Sequence, residues 1–357
     1  MFNHAYRGRR VLVTGHTGFK GSWLALWLAE LGADVSAVAL APATEPSHWD
    51  LLGLQVDEHR QDIRDLDALL SAIADVRPEI VFHLAAQPLV RASYRDPVET
   101  WTTNVTGTVN VLEACRRAAS VRAIVAVTTD KCYENHESAQ GYVETDRLGG
   151  YDPYSASKAA AELAIASYRQ SFFSSPDAPL LASARAGNVI GGGDWSEDRL
   201  IPDLMRAVAA DSVLEIRSPN AIRPWQHVLD SLAGYLLLGQ RLLEGQGTFA
   251  VPWNFGPDEE GRRTVAEVLA RVQGHWPSLR WTLSAQAQPH ETTLLYLDSS
   301  KAKSRLGWRS VWPLDSALRM TTDWYRAFLS ENRVESRAQL GRYIDDARHA
   351  GVEWSLK

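Results

Sequence analysis

Cysteine is nearly absent from this chain: Cys115 and Cys132 are the only two in 357 residues. That excludes a disulfide framework and a cysteine-rich metal site. Basic residues are not in excess either, with 37 Lys and Arg against 43 Asp and Glu and a net charge of −6. That balance argues against the basic face that nucleic acid requires, so no nucleic-acid partner is expected. No apolar run approaches the ~20 residues that cross a bilayer; Trp23–Leu31 and Leu232–Leu243 are interrupted by polar residues and read as packed helices. No secretory signal is visible, so a cytoplasmic chain without membrane contact is expected. His16, His83 and His227 do not fall into a ligand spacing such as HExxH, so no metal is expected, and His83 reads as a satisfied buried residue. Tryptophan, by contrast, is plentiful: thirteen residues, read as core and interface packing. The length and the ordinary apolar content of 45% predict a folded chain of two lobes.

The first half alternates short apolar runs with helical patterns. RRVLVTG, ADVSAVAL, EIVFHLAA, VRAIVAVTT and LLASARAGNVI read as strands. Between them, SWLALWLAELG, LDALLSAIADV, TTNVTGTVNVLEACRRA and DPYSASKAAAELAIASYRQSF read as helices, the last with Asp152 as N-cap and Pro153 in its first position. This alternation predicts an α/β fold, a doubly wound parallel (Rossmann) sheet. The helix around Val228–Leu243 and the run FAVPWNFG read as further layers of the same lobe. The expected division is a dinucleotide lobe of 1–186 with 227–258, and a smaller mixed α/β substrate lobe of 187–226 with 259–357.

Gly15-His-Thr-Gly18-Phe-Lys-Gly21 follows the first strand and opens the first helix. In such a loop Gly15 allows the tight turn, Gly18 lets backbone approach a pyrophosphate, and Gly21 lets helix and strand pack closely. After the second strand, where an acidic residue usually holds the adenosine ribose of NAD, the chain runs Ala39-Leu40-Ala41-Pro42. No arginine stands in that run to receive a 2′-phosphate, which favours NAD. Asp62-Ile63 suits an adenine contact, or Asp62 caps the next helix.

The run VRAIVAV stops at Thr128-Thr129-Asp130-Lys131, a polar row at a predicted carboxyl edge, where open α/β sheets hold ligands. Tyr154 and Lys158, spaced i, i+4 on a helix, share one face. An ammonium beside the phenol, aided by an oxidised nicotinamide, makes phenolate accessible for general-base work.

Together with LAAQ at 84–87 and NVTGTVNVLEA at 104–114, these motifs resemble the extended short-chain dehydrogenase/reductases that act on nucleotide sugars, over essentially the whole chain. GHTGFKGSWL, TTDKCYEN, RAGNVIGGGDW, DRLIPD and RPWQHVLD are similar, more narrowly, to the branch that dehydrates CDP-glucose. The resemblance implies NAD as cofactor, with contacts from Gly15, Thr17, Gly18, Phe19, Gly21, Asp62, Ile63, Leu84, Ala85, Ala86, Thr103, Tyr154 and Lys158. It implies CDP-glucose as substrate, 4,6-dehydration as reaction, a deoxysugar pathway such as that of O-antigen, and a homodimer or dimer of dimers. It also implies the catalytic set. Tyr154 is the base at the 4-hydroxyl and Thr129 holds that oxygen. Lys158 keeps Tyr154 ionised, and Asp130 is the acid at the 6-hydroxyl. Where dTDP-glucose relatives carry a glutamate base, this chain has Lys131, either a neutral base at carbon 5 or a charged stabiliser of the enolate. Asn188 and Arg223 suit the substrate pyrophosphate, Gln87 a sugar hydroxyl, and Arg199 either assists or is a surface arginine. An epimerase or reductase on this fold keeps Tyr154 and Lys158 without needing the Asp130-Lys131 couple. A non-catalytic dinucleotide sensor needs only the glycine loop.

Overall fold

Apolar runs too short for helices form the strands at the centre of the protein. The computed structural model describes residues 1–138, 140–216, 218–284 and 294–356. Its main sheet comprises β1 (Arg10–Thr14), β2 (Asp34–Ala39), β3 (Asp57–Arg60), β4 (Ile80–His83), β5 (Ala123–Val127), β6 (Leu180–Ala186) and β7 (Pro252–Phe255). They lie in the order β7-β6-β5-β4-β1-β2-β3, every neighbouring pair parallel. This is the expected doubly wound sheet. Two details differ from the sequence reading. Strand β3, sequence DEHR, has no apolar residue to announce it; it is an edge strand held by pairing with β2, Ser36 opposite Asp57 through Ala39 opposite Arg60. The run read as one strand over 180–190 splits at Gly187, and Val189–Ile190 pair instead with Gln226–His227.

The longer helices are α1 (Phe19–Glu30), α2 (Leu66–Val76), α3 (Gly107–Arg117), α4 (Pro153–Ser171), α5 (Leu200–Ala209), α6 (Val228–Leu243), α7 (Val265–His275), α8 (Leu314–Glu331) and α9 (Ser336–His349). Strand side chains alternate between two faces. Val11, Val13, Phe82 and Val125 meet Trp23, Trp27, Leu232 and Leu236 of α1 and α6 on one face. On the other, Leu12, Val81 and Ile124 meet Leu69 of α2, Val111 of α3 and Ile165 of α4. A third core joins Leu204, Val268, Leu318 and Trp324 from α5, α7 and α8. Part of the expected second lobe returns to the first core: Trp308, Trp312, Leu340, Tyr343 and Trp354 pack with the α1 and α6 layer. Trp23, Trp27, Trp253, Trp308 and Trp324 are fully buried, so these five tryptophans are packing residues. Among the described residues no helix is long and apolar enough to cross a membrane.

The chain runs outward through β1, β2 and β3, then crosses back to β4 on the other side of β1. That reversal opens a crevice between the carboxyl ends of β1 and β4, where such sheets bind ligands.

Candidate active site

At the crevice, Gly15 has φ 79° and lies against the segment after β4: a Cβ there would stand 2.6 Å from the Ala85 nitrogen. Leu84 and Ala85 are tied to the end of β1 by bonds to the Thr14 carbonyl (3.1 Å) and Thr14 Oγ1 (3.3 Å). Gly21 is tighter still, its Cβ position falling 2.1 Å from the Gly15 carbonyl oxygen. Gly18 is the N-cap of α1 and leaves the first turn, starting at Phe19, without a side-chain cap. Thr17 Oγ1 donates to the Leu40 carbonyl at 3.1 Å. Ala86 continues the segment after β4, and Thr103 lies in a π-type turn, 102–106, that leads into α3. From that turn Asn104 donates to the Gln87 carbonyl (3.1 Å) and to Ser157 Oγ (2.9 Å), tying the crevice wall to α4. Asp62 and Ile63 follow β3 at the far end of the sheet edge. Asp62 grips Arg64, which it meets at 2.6 Å, while Asp65, not Asp62, caps α2.

The polar row at the end of β5 folds into one 3-10 turn, Asp130–Cys132, capped by Thr129. Asp130 is 1% exposed; its Oδ1 accepts from Thr129 Oγ1 at 2.9 Å and lies 3.6 Å from Lys131 Nζ, while Oδ2 has no hydrogen-bond partner among the described residues. Helix α4 opens as expected, with Asp152 accepting from the Ser155 amide at 2.9 Å and Pro153 in the first turn. That start sets buried Tyr154 beside Thr129. Lys158, one turn on, is buried too. Glu162, a further turn along the same face, is 2% exposed and accepts from Thr128, from Ser183 Oγ at 2.8 Å and from Arg185 Nη2 at 2.8 Å. Thus Thr129, Asp130, Lys131, Tyr154 and Lys158 converge at one strand end.

Of the substrate candidates, Asn188 follows β6 at the same carboxyl edge, and Arg199, the N-cap of α5, pairs with Asp194 at 2.9 Å. Arg223 sits in a two-stranded antiparallel ribbon, Ile222–Pro224 with Arg262–Thr264, which also carries Arg262 and Arg263. Gln87 follows β4 in the same segment as Leu84 and Ala85. Its amide donates to the Leu89 carbonyl (3.1 Å) and Thr100 Oγ1 (2.9 Å) and accepts from the Leu89 amide (2.6 Å), so it holds its own loop. His83 is satisfied as read, between Thr14 Oγ1 at 2.7 Å and Thr108 Oγ1 at 3.0 Å.

The NAD dependent epimerase/dehydratase family model matches residues 11–251. The chain belongs to that family. Among its relatives, a CDP-glucose 4,6-dehydratase of Salmonella typhimurium is 47% identical, over 95% of this chain and 97% of that protein. A dTDP-glucose 4,6-dehydratase of Shigella flexneri is 26% identical, over 92% and 95%. Of solved structures, a UDP-glucose 4-epimerase of Thermus thermophilus in complex with NAD matches with a TM-score of 0.76 at 27% identity, over 88% of this chain and 98% of that one.

The crevice fits the dinucleotide that gives the epimerase/dehydratase family its name. Two glycines stand where a Cβ has no room, and the uncapped amides of α1 are the kind of donor set that receives a phosphate. Electrostatics qualify one expectation. Burial pushes the Tyr154 phenol up to about 12, against the hydrogen bond to Thr129 and the nearby Arg199. Burial also pushes Lys158 down to about 8, against the pull of Glu162. Lys158 therefore does not by itself keep Tyr154 ionised; a further positive charge beside the phenol is needed, as on an oxidised nicotinamide.

Three features of the site escaped the sequence reading. Lys20, inside the glycine loop, donates to the Tyr235 hydroxyl of α6 at 3.2 Å; burial pushes its ammonium down to about 7, with Arg199 adding and Asp130 opposing. Gly187 lets β6 end against the catalytic turn, since a Cβ there would stand 2.7 Å from Asp130 Oδ2 and 2.9 Å from Pro224 of the arginine ribbon. Glu162 had a legible signal: an acid spaced i, i+4 from Lys158 in an alanine-rich helix.

Proposed function

We propose that this chain is an NAD-dependent hydro-lyase that converts CDP-D-glucose to CDP-4-keto-6-deoxy-D-glucose and water. One observation carries the reading: the Thr129-Asp130-Lys131 row meets Tyr154 and Lys158 at one strand end, in a chain 47% identical to a CDP-glucose 4,6-dehydratase. NAD, when bound in the glycine crevice, supplies the reversible oxidation that makes carbon 4 transiently a ketone. Tyr154 takes the proton of the 4-hydroxyl while Thr129 holds that oxygen, and Lys158 supports the phenolate and the nicotinamide ribose. A ketone at carbon 4 acidifies the hydrogen on carbon 5. Lys131 takes that proton and Asp130 gives one to the departing 6-hydroxyl, which leaves as water; with the hydride removed from carbon 4 restored at carbon 6, Lys131 returns its proton to carbon 5. Lys131 Nζ and Asp130 Oδ1 stand 3.6 Å apart, so both groups reach one reacting centre. The unpartnered Oδ2 of Asp130 suits the proton-bearing oxygen. Asn188, Arg199 and Arg223 bind the substrate diphosphate, and Gln87 acts through the loop it holds.

The lobe of 1–186 with 227–258 then serves the cofactor, and 187–226 with 259–357 serves the nucleotide sugar. Val98 (71% exposed), Trp101 (41%) and Leu163 (61%) leave apolar surface on neighbouring helices, which suits a homodimer. A deoxysugar made for O-antigen in the cytoplasm accords with this chemistry. The deciding experiment offers a panel of nucleoside diphosphate glucoses deuterated at carbon 4. CDP-glucose is expected to give the 4-keto-6-deoxy product with label in its methyl group. A 4-epimer formed without loss of water, or label lost to solvent, would overturn the reading.

A further inference from the structure

An NAD site usually has a carboxylate after the second strand for the 2′-hydroxyl of the adenosine ribose; an NADP site has a nearby arginine for the 2′-phosphate. The run Ala39-Leu40-Ala41-Pro42 has neither. The neighbouring strand supplies both. Strands β2 and β3 are parallel, with Ala37 opposite Glu58 and Ala39 opposite Arg60, so these two charged side chains share one face and reach the same carboxyl edge. Arg60 Nη1 donates to the Leu40 carbonyl at 3.2 Å, the same oxygen that receives Thr17 of the glycine loop at 3.1 Å. An arginine therefore stands where the linear sequence showed none. Its Nη2 lies 2.7 Å from Glu58 Oε1. Glu58 accepts in turn from His16, whose buried ring holds the carboxylate against the base of the glycine loop. Glu58 and Arg60 keep 26% and 40% of their side-chain surface exposed, so both remain accessible beside the glycine loop.

We propose that Glu58 makes this cofactor site select a 2′-hydroxyl over a 2′-phosphate, by holding Arg60 in an ion pair and setting its own carboxylate in the phosphate's path. The inference rests on reading the glycine crevice as a dinucleotide site. A 2′-phosphate there meets like charge on Glu58 and a guanidinium already neutralised. Without the carboxylate charge, Arg60 and Thr17 form a ready phosphate site, because the planar guanidinium matches phosphate oxygens.

The test titrates the whole chain with NADH and with NADPH, following tryptophan fluorescence, so binding is read apart from turnover. The wild-type chain is expected to bind NADH more tightly than NADPH. Glu58→Gln is expected to narrow that ratio about tenfold, chiefly through tighter NADPH. Adding Arg60→Met is expected to restore the original ratio. An unchanged ratio in Glu58→Gln, or a gain that survives Arg60→Met, overturns the proposal while leaving the dinucleotide site intact. Failure of the wild-type chain to bind either dinucleotide overturns the cofactor reading, and this inference with it.

Discussion

Glu162 and Arg185, each 2% exposed and 2.8 Å apart, form a buried ion pair directly beneath the catalytic turn. Glu162 also accepts from Thr128 and Ser183, and Arg185 also donates to the Tyr133 hydroxyl at 2.7 Å and the Glu144 carbonyl at 3.2 Å. Removing one partner of such a pair costs roughly 3–5 kcal/mol, because the other charge is left buried and uncompensated. Arg185→Met and Glu162→Gln should each approach that range. The double variant removes both charges and should lose less than the sum of the two, by about 2 kcal/mol. Urea unfolding near neutral pH, with m-values compared across the four proteins, measures this directly. A coupling below about 0.5 kcal/mol would show that the pair is not a unit and defeat the argument. The same substitution has a functional limb. Glu162 is the anion that opposes the burial-driven fall of the Lys158 ammonium to about 8. Without that anion the ammonium gives up its proton more easily, so Glu162→Gln should move the Lys158 limb of the pH–rate profile to lower pH. A limb that stays in place would leave Glu162 a purely structural residue.

Lys131→Ala should still form bound NADH from CDP-glucose, while exchange of the carbon 5 hydrogen with deuterated solvent collapses; normal exchange would remove Lys131 from the base role. Burial pushes the Asp230 carboxyl up to about 7, with its Oδ1 accepting from the Val311 amide at 2.7 Å and the Tyr343 hydroxyl at 2.8 Å. Its folded pKa thus exceeds the unfolded value of about 3.9, so the stability it contributes is present below that value and is lost as pH rises towards 7, on the order of 4 kcal/mol across the window. Asp230→Asn should flatten that slope and raise the urea midpoint in mildly alkaline buffer; an unaltered slope would count against a protonated Asp230. Gly21→Ala places a methyl 2.1 Å from the Gly15 carbonyl oxygen, forcing α1 off the loop, and should abolish NADH binding in fluorescence titration. Retained affinity would mean that the loop does not bind the cofactor.

Much of the sheet was legible because burial on both faces leaves an apolar signature. β1, β2, β4, β5 and β6 each carry one, whereas β3, sequence DEHR, is made by backbone pairing to β2 and carries none. The catalytic helix was legible for a different reason. Tyr154, Lys158 and Glu162 repeat at the helical period, and Asp152-Pro153 mark the helix start. The Thr129-Asp130-Lys131 turn was placed by the abrupt end of an apolar run. Arg60 beside the second strand's end was not legible, because Leu40, whose carbonyl it meets, lies 20 residues earlier, just past β2, and is brought near by the pairing of β3 with β2. Lys20 and Tyr235, 215 residues apart, meet only because α1 and α6 cover the same face of the sheet. Gln87 was read as a ligand for a sugar, yet nearby groups in its own loop and the Thr100 hydroxyl use its amide first.

Local order therefore specified β1, β2, β4, β5 and β6, the glycine turn and the spacing of the catalytic helix, since periodicity and backbone sterics act between near neighbours along the chain. Chain packing settled which distant groups face one another, Glu58 with His16, Glu162 with Arg185 and Asp130 with Gly187, whereas Glu58 and Arg60 share a face through the two-residue period of their own strand. Electrostatic and hydrogen-bonding partners are chosen by distance in space, and in a parallel sheet the strands that share an edge are separated by whole helices in sequence.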